Sequence, residues 1–134
     1  MAWWHGLGRR QRVGPDWYRA NGRIGTAVRW DGLVAVRVRG RSGTYVAFGS
    51  PRALDCTCSA RQLPCPHVRA VAAELEENEG RFVDLRRALA RLPGPPAPAE
   101  AIERLLLSHP DRVLDAVERN DPGQLRAAAD VTAV

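Results

Sequence analysis

The 134-residue chain reads as an α+β protein: a small antiparallel β-meander followed by a metal-binding loop and a helix, with additional C-terminal helices. Three observations predict this class. Apolar residues alternate in steps of two between Ile24 and Phe48, three cysteines and a histidine crowd into 56–67, and helical spacing takes over from Val68. The length suits one ordinary domain, and 45% hydrophobic with 26% charged residues is the composition of a folded chain.

Met1 to Asn21 mixes Trp3, Trp4, Trp17 and Tyr18 with Arg9, Arg10, Arg12 and Arg19 and has no regular period, so it is expected to be an irregular arm whose aromatics pack or stack. From Arg23 the alternation begins. Ile24, Val28 and Trp30 precede Asp31-Gly32, a pair that favours a tight positive-φ hairpin turn. After it, Val34, Val36 and Val38 fall on one face and Arg37 and Arg39 on the other, so the valine face should be buried. Gly40 to Gly43 makes a second turn. Thr44 to Phe48 forms a third strand, with Tyr45 and Ala47 opposite Val46 and Phe48.

Past the cysteines, Val68, Val71, Ala72 and Leu75 recur at i, i+3, i+4 and i+7, which predicts an amphipathic helix starting near Pro66. Phe82, Leu85, Leu89 and Leu92 extend the helical spacing through a second segment. Pro93-Gly94-Pro95-Pro96-Ala97-Pro98 then stops any helix. Beyond this linker, Ile102, Leu105 and Leu106 predict one helix, and Pro110 in first-turn position opens another through Val113, Leu114 and Val117. Asp121, Pro122 and Gln124 fit the N-cap, first-turn proline and capping-box positions of a last helix.

The net charge is +5, every basic side chain is Arg, and the charge is polarised. Met1 to Arg52 carries ten Arg against Asp16 and Asp31, whereas Ala53 to Val134 carries ten Arg against thirteen acids. A basic half either favours phosphate backbones through counterion release or serves as a solvated sheet face. On the first reading, the leading contacts to DNA or RNA are Arg23, Arg29, Arg37, Arg39 and Arg41.

The chemistry concentrates at Asp55-Cys56-Thr57-Cys58-Ser59-Ala60-Arg61-Gln62-Leu63-Pro64-Cys65-Pro66-His67. An odd number of cysteines, all within ten residues, is a poor disulfide framework and a good metal site. Structural zinc takes four Cys or His donors in a tetrahedron, and two close pairs, Cys56-x-Cys58 and Cys65-x-His67, can supply them. Pro64 and Pro66 stiffen the return segment, and the following helix N-terminus favours nearby thiolates. No C-x-x-C and no base-plus-orienter set accompanies them, so the residues point to one structural zinc ion and not to an enzyme.

At these residues the chain resembles the SWIM zinc-finger family, whose pattern is C-x-C, a variable spacer, then C-x-H, placed after β-strands and before a helix. The resemblance covers Asn21 to Leu75 and matches Cys56, Cys58, Cys65 and His67. Family members often carry a basic residue between the last Cys and the His, where this chain has Pro66. The resemblance implies a module that binds DNA or proteins in the setting of helicases, transposases and recombination factors. The chain has no G-x-x-x-x-G-K-[ST] loop of its own.

The expected organisation is an arm over 1–21, a SWIM-like zinc-binding domain over 22–92 with its zinc loop at 56–67, a proline-rich linker over 93–98 and a helical segment over 99–134. The expected function is a zinc-binding interaction module that binds nucleic acid through its basic N-terminal half. The alternative is a protein–protein adaptor in which the linker presents the C-terminal helices to a DNA-processing partner such as a helicase or recombination factor. No run of roughly 18 to 20 apolar residues is present, and Met1 to Arg12 lacks the apolar stretch of a secretory signal. A cytoplasmic protein with no membrane partner and no small-molecule substrate is therefore expected.

Overall fold

Alternating apolar residues form strands that need cover on at least one face, and here two different layers cover both. The fold, taken from a computed structural model, describes residues 14–58 and 65–132. A short helix α1 (Pro15–Ala20) leads into strands β1 (Ile24–Trp30), β2 (Leu33–Arg39), β3 (Thr44–Ser50) and β4 (Ala53–Cys56). Helix α2 (Pro66–Glu77), a 3-10 turn (Glu79–Arg81) and strand β5 (Val83–Asp84) follow, then helices α3 (Leu85–Ala90), α4 (Ala99–Ser108), α5 (Pro110–Glu118) and α6 (Pro122–Thr132). The sheet order is β4-β3-β2-β1-β5; β1 to β4 form an antiparallel meander, and β5 pairs with β1 in parallel.

The valines of β2 are buried as expected. Val34, Val36 and Val38 pack with Tyr18, Ile24, Ala27, Ala47, Cys65, Val68, Val71 and Phe82 beneath α1 and α2. The opposite face carries Val28, Trp30, Ala35 and Val46, which pack with Leu85, Ile102, Leu105, Leu106, Leu114 and Leu125 from the C-terminal helices. The 93–98 segment thus connects helices that are docked on the sheet and does not hold them out from it.

Four elements depart from the sequence expectation. Pro15–Ala20 is helical, with Pro15 in the first turn and Asp16 beside the helix N-terminus; the rest of the expected arm, residues 1–13, lies outside the described residues. Its short length and mixed aromatic and basic side chains left no apolar period to read. In β1, Ile24 faces Val38 but Ala27 faces Val36, so one extra residue enters the strand. This bulge sends Ile24 to one core and Val28 and Trp30 to the other. The Arg81 guanidinium occupies the break, donating to the carbonyl oxygens of Ile24 at 3.3 Å and Gly25 at 2.8 Å.

Phe82 to Leu92 is not one helix. Asp84 accepts a hydrogen bond from the Arg86 N–H and caps α3, while the preceding Val83–Asp84 joins the sheet edge. Phe82 and Leu85 are spaced as on one helix face, yet they enter opposite cores. The fourth strand, β4, was also unforeseen. Pro51 and Arg52 turn the chain into it, and Gly49, at φ +124° in β3 opposite Leu54, lets the strands approach: a Cβ there would lie 2.9 Å from the Ala53 carbonyl oxygen. The last helix has its expected cap, with the Gln124 N–H donating to Asp121 Oδ1 at 3.1 Å.

Candidate metal centre

Strand β4 ends on the first of the four candidate ligands. Cys56 lies opposite Ala47, and the ladder extends one residue further because the Thr57 N–H donates to the Val46 carbonyl and Thr57 Oγ1 accepts from the Val46 N–H, both at 3.0 Å. Fixing Thr57 in an extended ladder puts Cys56 and Cys58 on the same side of the strand. Cys65 is the N-cap of α2, with Pro66 in the first turn, so Cys65 and His67 are set by the helix start. The Val68 N–H donates to Cys65 Sγ at 3.5 Å.

These elements bring together all four residues singled out in the sequence. The ligand atoms of Cys56, Cys58, Cys65 and His67 lie within 4.8 Å of one another. His67 Nδ1 sits 3.6 Å from Cys56 Sγ and 3.8 Å from Cys65 Sγ. A tetrahedral zinc with Zn–S of about 2.3 Å and Zn–N of about 2.0 to 2.1 Å separates its ligand atoms by about 3.5 to 3.8 Å, so these separations fit one ion. Cys65 is fully buried and His67 nearly so, while Cys56 and Cys58 are half-buried.

The electrostatics call for a cation. Burial pushes the Cys56 and Cys65 thiols above their ordinary pKa, and this outweighs the hydrogen bonds that act in the other direction, such as the Val68 N–H on Cys65. Buried thiolates need positive charge, and a divalent ion at the centre of the four donors provides it. Burial also lowers the His67 pKa, which favours the neutral imidazole that a metal requires. Four protein donors can therefore hold one metal ion in a closed site.

Two aromatic residues that the sequence reading did not connect to this site hold the histidine. The Tyr45 ring stacks on His67 with centroids 4.9 Å apart, and Tyr18 meets it edge-on at 5.0 Å. Tyr45 lies over the 40–43 turn, where a Cβ on Gly40 would come within 2.6 Å of the ring, and its hydroxyl pairs with Ser42 Oγ. Strand alternation put Tyr45 on the Ala47 face, but nothing local signalled the histidine across from it.

The five arginines proposed as nucleic-acid contacts separate into two groups. Arg37 turns under the C-terminal helices and pairs with Asp115 at 3.1 Å and Glu118 at 2.8 Å, so it is not on an open basic face. Strand alternation gives the direction of a side chain and not what covers it, so this cover was not legible. Arg29 pairs with Asp84 at 3.5 Å. Arg23, Arg39 and Arg41 cluster at the other end of the strands, where the Arg39 N–H donates to the Arg23 carbonyl. Arg23 lies over the Trp17 ring at 4.9 Å, Arg39 donates to the Gly22 carbonyl, and Arg41 is exposed; among the described residues none of the three has a carboxylate partner.

No protein-family model, curated protein or solved structure matches this chain. Among the described residues no helix is long and apolar enough to cross a membrane.

Proposed function

We propose that Cys56, Cys58, Cys65 and His67 hold one structural zinc ion and that the chain is a SWIM-like module that binds nucleic acid at the end of the sheet carrying Arg23, Arg39 and Arg41. The closure of the Cys3His set within 4.8 Å carries the metal part of this reading. Three thiolates and an imidazole suit zinc, and four protein ligands leave no coordination position for a substrate, so the metal's task is to fold the module. A reducing, cytoplasmic setting keeps such thiols available to the metal.

The nucleic-acid part is supported by three arginines that have no carboxylate partner among the described residues, with Arg23 lying over the Trp17 ring. Arginine forks suit phosphate oxygens, and a partly exposed indole suits a stacked base. Arg29 and Arg37 drop out of the contact set because they neutralise acids within the fold.

Elemental mass spectrometry of the purified chain should find one zinc per chain, with thiols protected from alkylation until a chelator is added. On the same sample, affinity for a DNA or RNA oligonucleotide should fall as salt rises, and alanine at Arg39 and Arg41 should flatten that dependence. Binding indifferent to salt would sink the nucleic-acid reading and leave the adaptor, while no zinc under reducing, chelator-free conditions would overturn the metal reading itself.

A further inference from the structure

The three cysteines of the cluster are not equally held. Cys56 is in register with Ala47, and Thr57 bonds both backbone groups of Val46 at 3.0 Å, so Thr57 is the last ladder residue of this strand among the described residues. Cys58 follows it and is half-buried, whereas Cys65 caps α2 and is fully buried. The two sulfurs lie no more than 4.8 Å apart. A half-exposed sulfur just past the end of a strand thus faces a buried sulfur at a helix start.

Disulfide geometry selects one pair. The S–S bond needs Cα atoms about 4.4 to 6.8 Å apart, most often about 5.5 to 6 Å. Cys56 and Cys58 flank an extended Thr57, and two residues of strand span about 6.7 Å, at the outer limit of that range. Cys56 is also pinned in the ladder, so drawing it toward Cys65 breaks its pairing with Ala47. Cys58 can approach Cys65 with every ladder pairing left in place. Oxidation favours an accessible thiolate beside a second cysteine that can resolve it, and metal-bound cysteines are thiolates. Cys58 and Cys65 meet those conditions.

We propose that Cys58 and Cys65 are a modification site for a hydroperoxide, whose reduction joins them as a disulfide and frees the metal. The Cys58 thiolate attacks the O–O bond and becomes a sulfenic acid as one hydroxide leaves. The Cys65 thiolate then attacks that sulfur, forming S–S and breaking S–O as a second hydroxide leaves. Two protons turn the hydroxides into water; the cysteines have lost two electrons and the peroxide has gained them. Only Cys56 and His67 remain as donors, too few for a structural zinc site. Helix α2 is then no longer fastened to β4, and because Tyr18 and Tyr45 both pack on His67 the loosening reaches α1 and β3. Hydrogen peroxide is far smaller than an alkylating reagent, so it reaches Cys58 in a site that holds the larger molecule off. The proposal rests on the metal part of the proposed function and not on its nucleic-acid part.

The test treats the full chain, its zinc content measured first, with hydrogen peroxide, then alkylates the remaining thiols, digests with trypsin and maps the peptides by mass spectrometry. Cleavage after Arg52, Arg61 and Arg69 leaves Cys56 and Cys58 in one peptide and Cys65 in the next. The two peptides should be linked through Cys58, with the alkyl group on Cys56, and dimedone added with the peroxide should trap a sulfenic acid at Cys58. Zinc should leave in step with the disulfide, and amide exchange in α2 should quicken at least about tenfold while that around Leu105 changes little. Dithiothreitol with added zinc should reverse these changes. Zinc retained under peroxide, a link through Cys56, a link between two chains, or sulfinic acids without any disulfide would each overturn the proposal and leave the metal reading standing. A chain that holds no zinc before treatment would overturn both.

Discussion

The two faces of the sheet are covered by different means. Under the C-terminal helices lie the largest fully buried side chains of the described residues, Leu85, Ile102, Leu105, Leu106, Leu114 and Leu125, contributed by four helices. The face beneath α1 and α2 is lined mainly by valine and alanine, with one long helix and one short one above it. Burying a Leu or Ile contributes about 1.5 to 3 kcal/mol and a smaller side chain less, so the second face has less hydrophobic burial to rely on. That is also the face where Cys56, Cys58, Cys65 and His67 converge. A thin core beside four residues that can hold a metal ion suits a layer fastened by metal, whereas the leucine-rich layer has packing to hold it.

The comparison can be broken most directly at the metal. Structural zinc contributes about 10 to 16 kcal/mol of apparent binding energy in small zinc modules, against domain stabilities of about 5 to 15 kcal/mol. Cys58→Ser or His67→Ala should therefore abolish zinc retention, and hydrogen exchange should report loss of protection first in α2 and β4 and last around Leu105. A variant that exchanges and melts like the parent would end the idea of a fastened layer. The converse variant is Leu105→Ala, in the fully packed face. Denaturant unfolding should show a loss of about 2 to 5 kcal/mol, with zinc stoichiometry unchanged under native conditions.

Smaller effects separate the arginines. Arg37 ties β2 to α5 through Asp115 and Glu118, themselves part-exposed, so Arg37→Ala should cost about 1 kcal/mol of stability and leave the salt slope of nucleic-acid binding alone. Arg41→Ala should do the reverse, leaving the denaturation midpoint in place and reducing the salt slope by about 1. The smallest effect concerns acid. Arg86 holds the Asp31 carboxyl below its ordinary pKa through their hydrogen bonds. The stability this contributes is present above the ordinary value of about 3.9 and is lost as pH falls through the lower folded one. Urea midpoints measured down to about pH 2 should thus decline less in Asp31→Asn than in the parent over that window.

Much of this was legible in the sequence wherever a single local rule decided the outcome. Asp31-Gly32 turned the first hairpin, with Asp31 at φ 51°; Pro66, Pro110 and Pro122 each opened a helix; and the two cysteine-containing pairs identified the cluster. What was not legible depended on tertiary partners. The β1 bulge has no local mark, and it reversed which core received Val28 and Trp30. The spacing of Phe82 and Leu85 imitated a helix because a two-residue strand between the layers also separates them. Tyr18 and Tyr45 carried no sign of His67 between them, since that contact joins α1, β3 and α2.

Strand β5 brings Val83 beside Val28, and only after it does the chain reach the helices that cover Val28, Trp30, Ala35 and Val46. During synthesis the meander and the cysteine cluster emerge first, with hairpins that close locally. Apart from Leu85 and Leu89 of α3, the opposite sheet face stays bare until residues 99–132 have been made. A nascent chain halted before that point carries an uncovered apolar surface centred on Trp30, the kind of species that chaperones retain and that aggregates when they do not.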